Sequence, residues 1–470
     1  MPTTLEKQIP KWVEYITAID SSGANSNGDM PEEIYINFDA IPRSLVRELV
    51  AQTHIDNNEN WGEKISFLLL RAKVGRVEYK RLTETCDWIS ISVTHSDPNE
   101  ESSFPALAIE FGEEVPRSQK FWVRLSHDRP TIMETNFIAK LADVQIESEF
   151  SINDFGVPLR GHKFGIAVYD VGQANFCALV NEYEHPLAFF DIGWPASFNL
   201  KSAPKKIVSF DPFALDQMER PAPVILSHLD WDHWGFAFQS GKAVWDKRGF
   251  WKSQVIYRKN ALNRPWLLRR PRFKRHKLGM SHIHLMHTLR STILPDGTRA
   301  LKLWPTKTAS LKWGPCTVIR CNPKHGSKKS IPFLRNNESL AMLVEDATNG
   351  ARVLLCGDAD YPSIKNIYRQ RLIGLVAPHH GGNISANSTP VALGLGRMVF
   401  STFPGCYSSV PSKITKTEAR LHGWRISNTS DRFTCTRGHC TRGNRLIRLE
   451  ITPRCTCNRV PAACLCLSQP

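Results

Sequence analysis

The chain's most chemically pointed stretch is Ser227-His228-Leu229-Asp230-Trp231-Asp232-His233, which places two histidines and two carboxylates within six residues. Side chains alternate along extended backbone, so at a strand end His228, Asp230 and Asp232 can project to one side. A turn through Trp231–Trp234 then brings in His233. Neutral imidazoles and carboxylates both bind divalent ions well, so four such groups this close together suit a pair of metals. That spacing is expected by chance in roughly one chain in a thousand.

Such groups need a rigid frame, and the surrounding pattern supplies one. From about Lys163 apolar runs recur, and several end in a polar or metal-capable residue. Phe164–Tyr169 precedes Asp170, Leu187–Phe190 precedes Asp191, and Val224–Leu226 precedes Ser227 and His228. Val353–Leu355 leads to Gly357-Asp358, Leu375–Ala377 to His379-His380, and Met398–Phe403 closes the series. Buried strands whose following loops carry the reactive side chains are how sheet-based hydrolases assemble a site.

These landmarks resemble the metallo-β-lactamase superfamily, and within it the competence-type (ComEC-like) hydrolase domain. In that branch the H-x-H-x-D-H motif carries an aspartate where Asp230 stands. Asp170-Val171-Gly172-Gln173-Ala174-Asn175 is similar to its D-V-G-Q-G-D opening, and Phe190-Asp191-Ile192-Gly193 to its strand ending in D-x-G. Asn336-Asn337-Glu338-Ser339-Leu340 matches N-N-x-S-L, Leu355-Cys356-Gly357-Asp358 the bridging-aspartate strand, and His379-His380-Gly381-Gly382 the H-H-G-S loop. The resemblance implies an α/β fold, an αββα metallo-β-lactamase sandwich preceded by a smaller α+β domain. It implies two divalent ions, zinc or manganese. His228 and Asp230 would serve one ion, Asp232 and His233 the other, with Asp358 bridging and His379 or His380 completing the second, His379 being favoured as nearer the strand end. Asp232, Asp358 and His380 are then the expected catalytic groups, while Asp191 and Asp170 would orient ligands. Three departures stand out: Tyr407 to Pro411 lacks the branch's late histidine, Asn175 replaces an acid, and Gly382 replaces a small hydroxyl residue. His325 lies in an interval where ordinary members carry a further histidine, and Asp360 is an alternative to Asp358 as the bridge.

The 470 residues divide unevenly in charge. Residues 1–150 hold 15 Lys and Arg against 25 Asp and Glu, whereas the remainder holds 45 against 20. The basic part expects a polyanion. Between Lys252 and Lys277 lie ten basic residues in 26 and no acid, interleaved with Trp251, Tyr257, Trp266 and Phe273. Arg258, Lys259, Arg264, Arg269, Arg270, Arg272, Lys274, Arg275 and Lys277 could neutralise phosphates while the aromatics stack on bases. Lys324, Lys328, Lys329 and Arg335 extend the basic character. The activity expected from these features is metal-dependent hydrolysis of a phosphodiester in DNA or RNA. Two rivals remain open: a hydrolase of small phosphoesters, nucleotides, lactones or thioesters, and a non-catalytic binding module that retains the fold. A processing role and a defence effector are equally compatible with the sequence.

The organisation expected is 1–155 as a recognition or regulatory domain, 160–432 as the hydrolase domain and 433–470 as a cysteine-rich tail. In the first domain Glu33–Phe38, Ile65–Leu70, Trp88–Val93, Leu107–Phe111 and Phe121–Leu125 read as strands, and Pro42–Gln52 as a helix. Its acidity repels phosphate, so its expected role is a protein partner, self-association or restraint of the basic groove. The tail holds Cys435, Cys440, Cys455, Cys457, Cys464 and Cys466 at spacings unlike a zinc ribbon; a structural zinc and free thiols are both open. No apolar run reaches the ~18 residues a membrane helix needs. Neither a signal-peptide pattern nor a disulfide framework is recognisable, so the expected location is cytoplasmic, without a membrane partner.

Overall fold

Alternating apolar residues in the first 125 positions build six antiparallel strands in the computed structural model. It describes residues 11–20, 34–52, 60–84, 88–100, 102–112, 118–146, 150–156, 163–204, 211–215, 220–272, 276, 278–323, 331–407, 410–434 and 441–449. The strands Val13–Asp20, Ile34–Pro42, Leu68–Val74, Phe104–Ala108, Lys120–Leu125 and Ile89–Thr94 follow one another around a closed barrel. Val13–Asp20 closes it by pairing with both Ile34–Pro42 and Ile89–Thr94, which leaves no free edge. Ile16, Phe38, Leu70, Ile91 and Phe121 are fully buried.

Helices of the same unit add to its core. Arg43–Ala51 buries Leu45, Val46 and Leu49, and Ile132–Ala142 buries Phe137, Ile138 and Leu141. The second opens with a capping box in which the Thr131 side chain accepts from the Glu134 amide and Glu134 accepts from the Thr131 amide. The Glu134 carboxylate also accepts from Arg43 Nε at 2.9 Å and Arg47 Nε at 3.1 Å. Arg43 and Glu134 are both almost fully buried, so each requires the other.

The chain separates into two compact units whose segments interleave. One comprises Met1–Gln145, Ser240–Ile256 and Arg272–Thr288; the other comprises Ile146–Gln239, Tyr257–Pro271 and Leu289–Pro470. Residues 160–432, expected as one continuous domain, are therefore interrupted twice. Backbone and buried polar contacts explain why. Ser240 and Gly241 pair with Gly112 and Phe111. Ser253 donates its amide to Phe67 O at 2.6 Å. The Tyr15 hydroxyl donates to Trp251 O at 2.8 Å and accepts from Trp251 N at 2.9 Å. Asp39 accepts from the Ser281 amide at 2.9 Å, placing a carboxylate at the start of the helix Met280–Ser291.

The second unit holds two seven-stranded sheets. The first runs in the order Leu301–Leu303, Trp266–Leu268, Val224–Leu226, Pro186–Ile192, Phe176–Val180, Gly165–Val168 and Arg445–Arg448. The second runs Ser310–Trp313, Cys316–Arg320, Leu340–Glu345, Arg352–Leu355, Leu372–Val376, Ala392–Phe400 and Arg425–Asn428. Each is antiparallel at one end and parallel at the other. The parallel strands Val224–Leu226, Trp266–Leu268 and Leu372–Val376 are short apolar runs, as burial on both faces requires. Val168, Leu179, Phe190, Ile225 and Leu267 from the first sheet join Val318, Met342, Val353, Val376 and Val399 from the second in one hydrophobic cluster. The amide of Leu340 donates to Ser227 O at 2.9 Å, tying the sheets together beside the H-x-D-x-D-H segment. The molecule is thus a mixed α/β protein with several sheets and a six-stranded barrel. Among the described residues no helix is long and apolar enough to cross a membrane. Lys274, Arg275, Lys277, His325 and the cysteines from Cys435 onward lie outside the described residues.

Candidate metal centre

Three loops at the C-terminal ends of parallel strands bring the polar groups together. Val224–Leu226 runs into Ser227 and His228, and the one-turn helix Trp231–Trp234 then presents Asp232 and His233. Arg352–Leu355 leads through Gly357 to Asp358, and Leu372–Val376 leads to His379 and His380. The backbone is unusual in two of these loops and at the neighbouring strand end: Gly357, His379 and His380, and Asp191 in Pro186–Ile192, all have φ between 50° and 58°. For residues other than glycine that region costs energy, and such strain collects at functional sites. Gly357 is required twice over, because a Cβ there would lie 2.5 Å from Ser227 Cβ. A Cβ on Gly193 would meet Asp232 O at 1.8 Å.

Asp358 sits at the centre, with a carboxylate oxygen within 4 Å of ring nitrogens from four histidines. The separations are 3.1 Å to His233 Nε2, 2.8 Å to His379 Nδ1, and 3.9 Å to both His228 Nε2 and His380 Nε2. Asp232 Oδ2 lies 3.1 Å from His380 Nε2. Two sets have ligand atoms mutually within 4.8 Å: His228, His233 and Asp358, and Asp232, His233 and His380.

The outer nitrogens show what the inner ones can do. His233 Nδ1 is 2.8 Å from Asp191 Oδ2, and His380 Nδ1 is 2.9 Å from Ser401 O. A carboxylate and a carbonyl can only accept, so in the neutral ring each keeps the proton on Nδ1 and leaves the Nε2 lone pair for a metal to take. His228 Nδ1 lies 3.0 Å from Ser227 Oγ, whose own proton goes to Asp191 Oδ2 at 2.8 Å, which produces the same tautomer. His228 Nε2, His233 Nε2 and Asp358 Oδ1 are buried without a hydrogen-bond partner. Each such atom costs about 1–3 kcal/mol in isolation. Three acceptors facing one another make physical sense around a cation, so the donor set fits a divalent metal.

The gathered carboxylates create a demand for positive charge that a metal, or a second proton on an imidazole, would meet. Burial alone would lower His233, but Asp358, Asp191 and Asp232 outweigh it and hold the imidazole well above its ordinary range. Burial would raise Asp358, yet His233 and His379 drive it well below the usual carboxylate range. Asp232 is lowered against burial by His233 and His380.

The other expected site residues fall into distinct places. His380, rather than the expected His379, supplies the Nε2 of the second set; the His379 side chain is 47% exposed, with Nδ1 turned to Asp358. Asp230 belongs to neither set: Oδ2 is 3.3 Å from His228 Nε2, and Oδ1 is 2.6 Å from Arg335 Nε. Asp191 accepts from His233, Ser227 and Asn175. Asp170 accepts from Arg432 Nε at 2.7 Å and from the Gly172 and Gly443 amides, which anchors its loop to Arg432 and Gly443. Sequence reasoning missed Ser227, Ser401 and Arg335. The last was counted among basic residues for a polyanion, but it is buried against Asp230.

The basic segment is also less free than its composition suggests. Arg264 is buried, donates to Ala222 O and Asn260 O, and covers the Phe213 ring at 4.2 Å. Arg269 donates to Cys321 O, Arg258 lies over Phe236 at 4.4 Å, and Lys252 pairs with Asp246 at 2.6 Å. Trp266 is fully buried, and Tyr257 stacks on Phe238. Apolar and carbonyl partners within the fold claim these side chains. Lys259 and Arg272 are exposed, and Arg270 is half-buried. No protein-family model matches this chain, and no curated protein matches it.

Proposed function

We propose that the second unit is a metal-dependent hydrolase of phosphodiesters, built as an αββα sandwich of the metallo-β-lactamase type. The architecture is supported by two sheets sharing one core, with the polar loops at the C-terminal ends of parallel strands. One observation carries the chemistry: three buried imidazoles have their Nδ1 protons taken by Asp191, Ser227 and Ser401 and turn Nε2 toward Asp358 or Asp232. His228, His233 and Asp358 would hold one divalent ion, and Asp232 and His380 a second close by; zinc and manganese both suit this donor set. Bound there, the ions supply an acidified water and positive charge for the phosphate oxygens.

The chain's own groups complete the reaction. Asp191 and Ser401 O fix the imidazoles so that they do not reorient as charge develops. His379 is the exposed imidazole of the centre. Burial opposes a second proton on this ring, but the charge of Asp358 outweighs it; with Nδ1–H on Asp358, the imidazolium's Nε2–H would be the proton given to a departing oxygen, leaving the neutral ring.

A second reading, hydrolysis of a small phosphoester or nucleotide, gains from the internal engagement of Arg264, Trp266 and Arg269. Purified protein reconstituted with Zn²⁺ or Mn²⁺ should hydrolyse bis(p-nitrophenyl) phosphate, and Asp358→Ala and Asp232→Ala should each lose at least about a hundredfold in kcat. Single-stranded, duplex and structured DNA and RNA then separate the two readings. Cleavage of the small ester alone favours the second. Variants that hydrolyse as well as the parent chain overturn both.

A further inference from the structure

The end of the second sheet remote from the metal centre carries an exposed apolar tip. Where Ala392–Phe400 pairs with Leu372–Val376, the register jumps from Leu372↔Ala392 to Gly374↔Arg397. Five steps along one strand thus answer two along the other, and the surplus must bulge out of the ladder. Gly394 takes φ of 65° in this bulge, with nothing within 4 Å of where a Cβ would stand. Val391 is 66% exposed, Leu393 37% and Leu395 59%. The Ala392 amide donates to His422 O at 2.9 Å, which brings Leu421, 78% exposed, alongside. Large aliphatic side chains left in water together mark a surface that is covered in use.

The charge around the tip has one sign. From Tyr361 to Ser430 the sequence holds eight Lys and Arg against a single acid, Glu418. Glu418 is buried and accepts from the Asn387 amide and Thr389 Oγ1. Arg371 precedes the Leu372 that pairs with Ala392, Arg425 lies opposite Arg397 in the ladder, and Arg420 adjoins Leu421. All three arginines are exposed. Glu345, three strands along, already faces Arg352 at 3.7 Å.

An aliphatic tip inside a cationic rim suits the surface of an anionic lipid bilayer, where leucines enter the acyl boundary and guanidinium groups stay with the phosphates. A second copy of the chain fits less well, because a two-fold contact would set the basic rim against itself. Nucleic acid would engage the arginines but not the leucines, since bases stack on aromatic faces. We propose that the Val391–Leu395 bulge and Leu421 insert into an anionic bilayer, with Arg371, Arg420 and Arg425 on its headgroups. The polar loops of the metal centre follow the opposite ends of these strands, so docking by this end does not cover them. The proposal departs from the expectation, drawn from composition, of no membrane partner. Composition hides the patch, because only folding sets Leu421 beside the bulge.

Flotation of the full chain with lipid vesicles tests this, and no readout depends on a bound metal. Phosphatidylcholine vesicles with about 30% phosphatidylserine should carry the parent chain at least about tenfold better than phosphatidylcholine alone. Leu393→Ser/Leu395→Ser should lose at least about tenfold in binding. Arg371→Gln/Arg420→Gln should lose about as much and show a weaker dependence on salt. Tyr183→Ser, at a 71% exposed position elsewhere in the same unit, should lose nothing. Should the bulge variant not fold, Leu421→Ser on the neighbouring helix decides, with an expected loss of at least about threefold. A parent chain that floats with neither vesicle overturns the proposal, as do leucine variants that bind as well as the parent. Two further results overturn it by naming another occupant. One is a dimer that Leu393→Ser/Leu395→Ser turns into a monomer without any vesicle binding by the parent. The other is single-stranded DNA binding that Arg371→Gln/Arg420→Gln abolishes in a chain that ignores vesicles.

Discussion

Asp191 is the residue on which the imidazoles depend, although it lies in neither ligand set. Its two oxygens take the Ser227 amide at 2.7 Å, the Ser227 hydroxyl at 2.8 Å, the Asn175 amide group at 2.8 Å and His233 Nδ1 at 2.8 Å. Replacing it by Asn keeps a side chain that tolerates φ of 58°, so the strand end should survive. What is lost is the charge behind His233 and one acceptor. Asp191→Asn should weaken Zn²⁺ or Mn²⁺ binding by about 10–100-fold and also lower the Tm of the metal-free chain, because its buried NH2 would face a donor that the lost oxygen accepted. Competition with a chromophoric chelator measures the first and thermal unfolding the second. Unchanged affinity would show that His233 needs no anionic support. At this scale the legible residues were those whose type alone suggests chemistry. Asp232, His233 and Asp358 stand out as acids and imidazoles on short polar loops. Ser401 and Ser227 look like any serine, because the carbonyl or hydroxyl contact that matters is set by folding. Arg335 misleads, since an arginine among basic neighbours is read as a solvated charge until its burial beside Asp230 is seen.

Elements constrain the site through backbone conformation more than through side chains. The turn after Arg352–Leu355 can pass Ser227 only because position 357 has no Cβ and takes φ of 56°. Gly357→Ala should therefore lower stability by about 2–4 kcal/mol and displace Asp358, read as a fall in Tm together with weaker metal binding. A variant as stable as the parent would mean that the turn has another way past Ser227. In the barrel unit the critical element is the start of Ile132–Ala142. Burial opposes ionisation of Glu134, but hydrogen bonds and charge from Arg43, the Thr131 amide and Arg47 lower its pKa from the ordinary 4.5 to about 2. A depressed folded value means that the unfolded chain takes up this proton first. Its contribution is thus complete above about pH 4.5 and disappears as pH falls toward 2. Glu134→Gln should cost about 3 kcal/mol at neutral pH and flatten the acid side of the stability profile, checked by urea unfolding between pH 7 and 3. An acid limb as steep in the variant as in the parent would place the responsible group elsewhere. The strand Val224–Leu226 is readable as an apolar run, and the alternation at Glu33–Phe38 marks most of the strand Ile34–Pro42 but not its last four residues. Val13–Asp20 was not singled out, although it closes the barrel, because closure is a property of pairing partners rather than of one strand's composition.

On the scale of the whole molecule, the interleaved segments change what a truncation can mean. A cut near residue 150 follows the shift from acidic to basic composition, and composition alone makes it look clean. Yet the strands Phe238–Asp246 and Phe250–Tyr257 carry Ser240 to Ile256, which belong with the barrel. Gly241 packs on Phe111, Trp251 meets Phe121 edge-on at 5.3 Å and stacks on His95 at 5.2 Å, and Ser253 bonds to the backbone at Phe67 and Leu69. Deleting residues 1–150 removes every one of those partners. It exposes Phe250 and Ala243, which are buried in the intact chain, and strips the start of Met280–Ser291 of Asp39. Exposed apolar strand surface of this kind drives association between chains. The fragment 151–470 should accordingly be aggregated or poorly soluble. Excising residues 240–256 from that fragment, with a short Gly/Ser link from Gln239 to Tyr257, should raise its soluble yield several-fold. Phe238 and Tyr257 already stack with ring centroids 5.1 Å apart, so the link spans little distance. Size-exclusion chromatography of both fragments decides the matter. A monomeric, cooperatively unfolding 151–470 would show that the inserted strands are stable without the barrel, and the division of the chain would have to be redrawn.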